Sequence, residues 1–226
     1  MNVSGKESAI VLLSGGIDSA VCLWLAKEAN WHIHALSFNY HNRQRREIEA
    51  SAKLAQKAEV AEHKVIDLPF LLELEDLKTT SGLISKDVPS AYIPARNMVF
   101  YAIALSYAEY ISARYVIGGH NNLDHRSFPD STPEFFAKLN ELVKTGTLAN
   151  NDSPEIITPL SNLDKSGVLK EAIRLKVPLE LTWSCYDKDD IACGKCPACR
   201  IRLQTFRRAR MKDPIPYAEE TISKNF

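Results

Sequence analysis

The chain has 226 residues, 45% apolar and 25% charged, the mix of a soluble globular protein rather than a disordered or fibrous one. Lys+Arg and Asp+Glu balance at 28 each, which argues against a protein whose main task is to neutralise nucleic-acid phosphates. The length fits one domain with a small appendage. No run of about 18 apolar residues offers a membrane span. The opening MNVSGKESA lacks the apolar region of a secretory signal, so a cytoplasmic protein is expected.

Residues 9–13 form an unbroken apolar run closed by Ser14, Gly15 and Gly16, the pattern of a strand buried on both faces of a parallel sheet. Val21, Cys22, Leu25 and Ala29 follow at helical spacing over 19–29. A second strand is expected at 33–38. A helix at 44–58 carries Ile48, Ala52 and Ala55 on one face, and a third strand follows at 63–68. This alternation is that of a doubly wound α/β layer. Residues 69–92 hold a short leucine-rich piece and a polar stretch, and they read as a flexible loop able to order over a ligand. Residues 96–112 are apolar nearly all round, so a buried central helix is expected. A fourth strand at 114–118 and an amphipathic helix at 132–145 with Phe135, Leu139 and Leu142 come next. A short fifth strand at 156–158 and a helix at 165–175, N-capped by Asp164, complete the layer. Beyond Pro178 the pattern gives way to a cysteine segment and a short basic helix around 200–210.

Cys22 stands alone in an apolar pattern and reads as a small core residue. Cys185, Cys193, Cys196 and Cys199 fall within fifteen residues. In an intracellular chain such clustering reads as a metal site before disulfides. Four thiolates make a closed tetrahedral zinc site, which is structural. The two-residue gaps also suit an iron–sulfur cluster. The expected architecture is a doubly wound parallel five-stranded sheet over 1–178, followed by a small zinc-bound helical subdomain over 179–226.

The strongest N-terminal signal is Leu13-Ser14-Gly15-Gly16-Ile17-Asp18-Ser19, between a strand and a helix. Two glycines let the backbone approach a ligand closely. The amides of the first helical turn, aided by the helix dipole, favour a phosphate. Ser14 and Ser19 supply hydroxyls, and Asp18 can bind Mg²⁺ or hold the loop. The spacing is neither Gly-x-Gly-x-x-Gly nor that of a Walker loop. The motif resembles the PP-loop of the adenine nucleotide α-hydrolases. That resemblance implies ATP binding by residues 13–19 and adenylation of a substrate oxygen with release of pyrophosphate.

Further polar residues fall at strand ends, where ligands bind in doubly wound sheets. Arg43 leaves the second strand and suits phosphate. Arg45 and Arg46 suit phosphate or solvated Arg–Glu pairs equally. Arg96 and Asn97 open the apolar helix as polar anchors. Asn121, Asp124 and Asp130 follow the fourth strand; they suit ring N–H groups, an exocyclic amine or Mg²⁺, or else Asx turns. Lys165 sits at a helix start, where the dipole disfavours a cation, so an anion must compensate it. Lys165 is the expected stabiliser of phosphate charge during adenylation.

Together the PP-loop, Tyr40-x-x-Arg43, Pro94-x-Arg96-Asn97, Phe128-Pro129-Asp130, Thr158-Pro159-Leu160, the run from Leu181 to Cys185 and the four-cysteine tail resemble the QueC family, the 7-cyano-7-deazaguanine synthases, over nearly the whole chain. The resemblance implies conversion of 7-carboxy-7-deazaguanine and ammonia to the nitrile, with ATP activating first the acid and then the amide. It implies Asp18, Ser19, Arg43 and Lys165 as catalytic residues. Tyr40, Arg43, Arg96, Asn97, Asp124, Phe128 and Asp130 would contact the substrate. Mg²⁺, Zn²⁺ and a homodimer are further expectations. The sequence departs from the family pattern at the acyl pocket, with Thr132 in place of an arginine and Arg126 newly present. These departures leave room for a QueC-like ligase that uses a protein amine as acceptor. A tRNA-modifying PP-loop enzyme is disfavoured by the neutral charge. A non-catalytic zinc regulator is disfavoured by the intact Ser14, Asp18 and Lys165.

Overall fold

In the computed structural model, β1 (Ser8–Leu12) is the central strand, and Ala9, Ile10 and Val11 are wholly buried. The structure describes residues 7–40, 45–80, 92–148 and 152–218, with backbone only at 75–80. An apolar strand of this kind needs cover on both faces, and helices on either side of a parallel sheet provide it. α1 (Ile17–Glu28) follows, then β2 (His32–Asn39), α2 (Arg45–Ala58) and β3 (Glu62–Asp67). After α3 (Pro69–Thr80) and α4 (Arg96–Ile111) the chain enters β4 (Tyr115–Ile117). α5 (Asn122–Ser127), α6 (Pro133–Gly146), β5 (Glu155–Ile157), α7 (Lys165–Arg174) and α8 (Pro197–Arg208) complete it.

All pairings are parallel, in the order β3-β2-β1-β4-β5. Leu12 stands opposite Leu36, and Val11 opposite Ile117. The expected five-stranded parallel sheet is therefore present, with strand ends within a residue or two. Chain order reverses between β1 and β4, so the loops leaving their carboxyl ends flank the crevice where such sheets bind ligands.

Two apolar clusters cover the sheet. One joins Val21 and Leu23 of α1 with Leu54 of α2, Leu169 of α7 and Phe206 of α8. The other joins Tyr101, Ala104 and Ala108 of α4 with Phe136 and Val143 of α6. The C-terminal segment thus reaches the main core through Phe206, while its cysteines pack with Trp183 against Ala50 of α2.

Three expectations need correction. Residues 69–80 are helical rather than a loop: Pro69 suits the first helical position and Leu71 is an almost fully buried anchor. The remainder of that expected loop, 81–91, lies outside the described residues. α4 is not buried all round. It covers the sheet with one face and leaves Met98 and Tyr110 exposed on the other, because no further layer lies outside it among the described residues. α5 was not anticipated. Asn121 caps it by accepting the Leu123 N–H (2.9 Å), and Asp124 accepts the Asn121 N–H in return (3.0 Å).

The expected N-cap of α7 is present, with Asp164 accepting the Gly167 N–H at 2.7 Å. Thr132 caps α6 by accepting the Phe135 N–H at 3.2 Å, a structural reason for a hydroxyl there, and Arg126 is exposed. No helix among the described residues is long and apolar enough to cross a membrane.

Candidate functional site

Residues 13–19 leave β1 in a tight turn. Leu13 is buried, with its N–H donated to Leu36 O (2.7 Å) and its carbonyl accepting from Ser37 Oγ (2.5 Å), so it moors the loop to the sheet. Gly15 has φ +84°, and a Cβ there would overlap the Glu47 carbonyl. Its own carbonyl accepts the Trp183 N–H at 2.9 Å. Ser19 is buried behind the turn: its Oγ accepts the Ser14 N–H (3.2 Å) and donates to Gly16 O (3.1 Å). Among the described residues, no side chain caps the first turn of α1. Its leading amides, which have no intrahelical acceptor, are left for a ligand.

The loop opens on a cleft of about 430 Å³, a size that suits a small-molecule ligand. Ser14, Gly16, Asp18, Asp124, Phe128 and Lys165 line it. Leu13, Gly15 and Ser19 shape the loop from behind. Lys165, on the first turn of α7, bonds Asp18 Oδ2 at 2.9 Å and Oδ1 at 3.1 Å. Asp18 is thus the anion that the helix-start lysine required. Asn121 Nδ2 donates to Asp18 Oδ1 (3.1 Å) and to Asp124 Oδ2 (2.8 Å), which joins the loops of β1 and β4. Burial alone would lower the Lys165 pKa, but Asp18 and Asp124 outweigh it and hold the ammonium above its ordinary value. Burial pushes Asp124 up, against the pull of Lys165.

The other expected substrate residues are less gathered. Arg96 Nη1 donates to Tyr40 Oη (3.2 Å), while its buried Nε has no partner among the described residues. Asn97 and Asp130 are turned on each other: the Asn97 N–H donates to Asp130 Oδ2 (2.9 Å), and Asn97 Nδ2 to Asp130 O (3.1 Å). That pair ties the start of α4 to the turn before α6. Arg43 lies outside the described residues. Arg45 and Arg46 both form the Arg–Glu pairs expected at a helix start, with Glu49, and the half-buried Arg46 lies over the Trp183 ring at 5.2 Å.

The four clustered cysteines are buried, and their Sγ atoms all lie within 4.8 Å of one another. Zinc–sulfur bonds of about 2.3 Å give tetrahedral sulfur edges of roughly 3.8 Å, so the four fit one ion after a small contraction. Backbone amides point at the sulfurs: Cys193 N at Cys185 Sγ (3.3 Å), Cys196 N at Cys193 Sγ (3.2 Å) and Cys199 N at Cys196 Sγ (3.4 Å). Such donors stabilise thiolates.

The model of the family described as queuosine biosynthesis protein QueC matches residues 8–210. The chain belongs to the QueC family. Among similar proteins is the 7-cyano-7-deazaguanine synthase of Thermosynechococcus vestitus, 40% identical over 224 residues, which cover 94% of this chain and 96% of the relative. The synthase of the same name from Oceanobacillus iheyensis is 40% identical over 222 residues, covering 95% and 100%. Among solved structures, NMN synthetase from Francisella tularensis aligns at TM-score 0.53 and 19% identity, covering 97% of this chain and 82% of that one. The U34-tRNA thiolase NcsA from Methanococcus maripaludis aligns at TM-score 0.50 and 20% identity, covering 91% and 65%. At such identities the likeness is one of fold alone.

Among the residues lining the cleft of this QueC-family chain that sequence reasoning missed are Glu47, Trp183 and Tyr186. Glu47 read as one more charge on a polar helix start; only the fold turns it into the cleft. Burial, opposed by Arg96, pushes its carboxyl up to about 7. Between its ordinary value near 4.5 and that value, the folded chain binds more protons than the unfolded one, so ionising Glu47 destabilises the fold as pH rises. Glu47→Gln is therefore expected to melt above the wild type at pH 8, with the gap closing towards pH 5; an equal gap at both pH values would contradict the burial.

Gly16 offers a cleaner separation of fold from ligand. A Cβ there meets nothing closer than Ser14 Oγ at 3.5 Å. The methyl fits the protein but stands in the cleft. Gly16→Ala is expected to cost about 1 kcal/mol of stability as a poorer N-cap, yet to weaken ATP binding more than tenfold by titration calorimetry.

Proposed function

We propose that this chain is an ATP-dependent carbon–nitrogen ligase. It adenylates 7-carboxy-7-deazaguanine, joins the activated acid to ammonia, and carries the amide on to 7-cyano-7-deazaguanine with a second ATP. The observation that carries this reading is the Lys165–Asp18 pair at 2.9 Å, beside an uncapped helix start that faces a cleft. Fixed cationic and amide donors there meet charge as it develops on phosphate, at no cost of reorganisation. Membership of a family whose similar members bear the synthase name supports the same reading.

In this mechanism the amides of the loop and the first turn of α1 hold the triphosphate. A substrate carboxylate oxygen attacks the innermost phosphorus, and pyrophosphate leaves. Lys165 steadies the negative charge on the transferred phosphate, and Asp18 keeps its ammonium in place. Phe128 and Trp183 keep water from the acyl phosphate. Mg²⁺ would be held by Asp18 and Asp124, where it would offset pyrophosphate charge. Zn²⁺ would be held by Cys185, Cys193, Cys196 and Cys199 as a structural ion that fixes the cleft wall carrying Trp183 and Tyr186. A homodimer, the remaining part of the reading, is checked by light scattering.

Incubation of the pure protein with ATP, the acid and ammonium is expected to give the nitrile by mass spectrometry, with two AMP released for each nitrile. AMP without amide or nitrile would overturn ammonia as the acceptor. The protein is expected to carry about one zinc per chain. Cys196→Ser should lose the metal together with several kcal/mol of stability, roughly what a structural zinc site supplies. A brown, iron-containing preparation would overturn the zinc assignment.

A further inference from the structure

Among the described residues, three carboxylates line the cleft: Asp18, Glu47 and Asp124. Asp18 is held by Lys165 and Asn121, and Asp124 by the cap of α5. Glu47 differs. No hydrogen bond or ion pair engages its carboxylate among the described residues. It sits on the first turn of α2, its main chain packed directly beneath Gly15 of the phosphate-binding turn. Arg96 from α4 and Tyr186 from the cysteine segment stand near it, and Tyr186 is in turn near Tyr40, at the end of β2, and Lys165 of α7. Its neighbour Arg46 pairs with Glu49 and lies over Trp183.

At neutral pH the acceptor is present mainly as ammonium, whose nitrogen has no free electron pair. Attack on an acyl adenylate requires that one proton be removed first. We propose that Glu47 is the base that takes a proton from ammonium in the cleft, so that ammonia attacks the activated acid. The inference rests on the ligase reading above. Ammonium gives one proton to the Glu47 carboxylate. The nitrogen pair then forms the C–N bond, and the C–O bond to AMP breaks with its electron pair on the departing phosphate. A second proton leaves the nitrogen for that phosphate, and Glu47 returns its own to solvent. Burial, which brings the group close to neutrality, suits it to this exchange.

Glu47→Gln separates the two half-reactions. Acid-dependent exchange of labelled pyrophosphate into ATP needs no amine and is expected to stay within about twofold of the wild type. Amide formation from ammonium is expected to fall about a hundredfold. Hydroxylamine is uncharged at neutral pH and needs no base, so hydroxamate formation should stay near the wild-type rate. In the wild type the ammonium reaction should rise with pH through ionisation near pH 7. The variant should keep only the rise due to free ammonia, and Glu47→Asp should restore part of the lost step. An unchanged ammonium rate in the variant would overturn the inference alone. So would equal losses of exchange, hydroxamate and amide, which would place Glu47 in acid binding or adenylation. A wild-type protein with no acid-dependent exchange would overturn the ligase reading and this inference with it.

Discussion

Lys165→Ala is expected to lower acid-dependent ATP–pyrophosphate exchange by two to three orders of magnitude, about 2.7–4 kcal/mol of transition-state stabilisation. The side chain is a cation at the positive end of α7, and helix electrostatics oppose it there. It is held by Asp18 at 2.9 Å, and burial disfavours its charge. Asp18 and Asp124 outweigh both effects and keep the ammonium charged in the cleft. Removing the cation relieves the helix dipole but leaves Asp18 with Asn121 as its remaining partner, so a modest fall in melting temperature is expected alongside the loss of exchange. Lys165→Arg keeps the charge on a broader, planar group and should recover only part of the rate. Full exchange activity in the alanine variant would remove Lys165 from the mechanism.

Arg202→Ala is expected to cost about 3–5 kcal/mol of stability. The guanidinium is almost completely buried, yet every face of it is used. Nε donates to Asp213 Oδ2 (2.7 Å) and Nη2 to Asp213 Oδ1 (3.0 Å). Nη1 donates to Thr182 Oγ1 (2.8 Å) and Nη2 to Leu179 O (3.2 Å). Tyr217 donates a further bond to Asp213 (2.7 Å). Truncation leaves the buried Asp213 carboxylate without its cation, with only the neutral Tyr217 hydroxyl and Ile215 N–H as donors. Arg202→Met combined with Asp213→Leu removes both charges and should recover much of the loss. Urea denaturation measures both variants. A cost below about 1 kcal/mol for the single change would mean that the ion pair contributes nothing net.

The Arg202 network shows where local reading ends. Its partners lie at 179, 182, 184 and 213, and from the chain alone Arg202 was one basic residue in a basic helix. Glu47 was hidden in the same way, as a charge among charges.

Patterns of neighbouring residues were enough for much else. An unbroken apolar run followed by Ser14-Gly15-Gly16 carries its own geometry, since a two-face-buried strand and a left-handed glycine are local demands. Cysteines at two-residue gaps likewise converge through one short stretch of backbone. The sequence by itself therefore determined the parallel sheet, the glycine turn that follows β1, the cysteine cluster and the need of Lys165 for an anion. The tertiary structure decided which anion that was, that Asn97 and Asp130 bind each other, that α4 keeps an open face, and that Glu47 reaches the cleft. The reason is that pairing, burial and the pKa of a carboxylate depend on groups dozens of residues away, whose proximity exists only once the sheet has set its order.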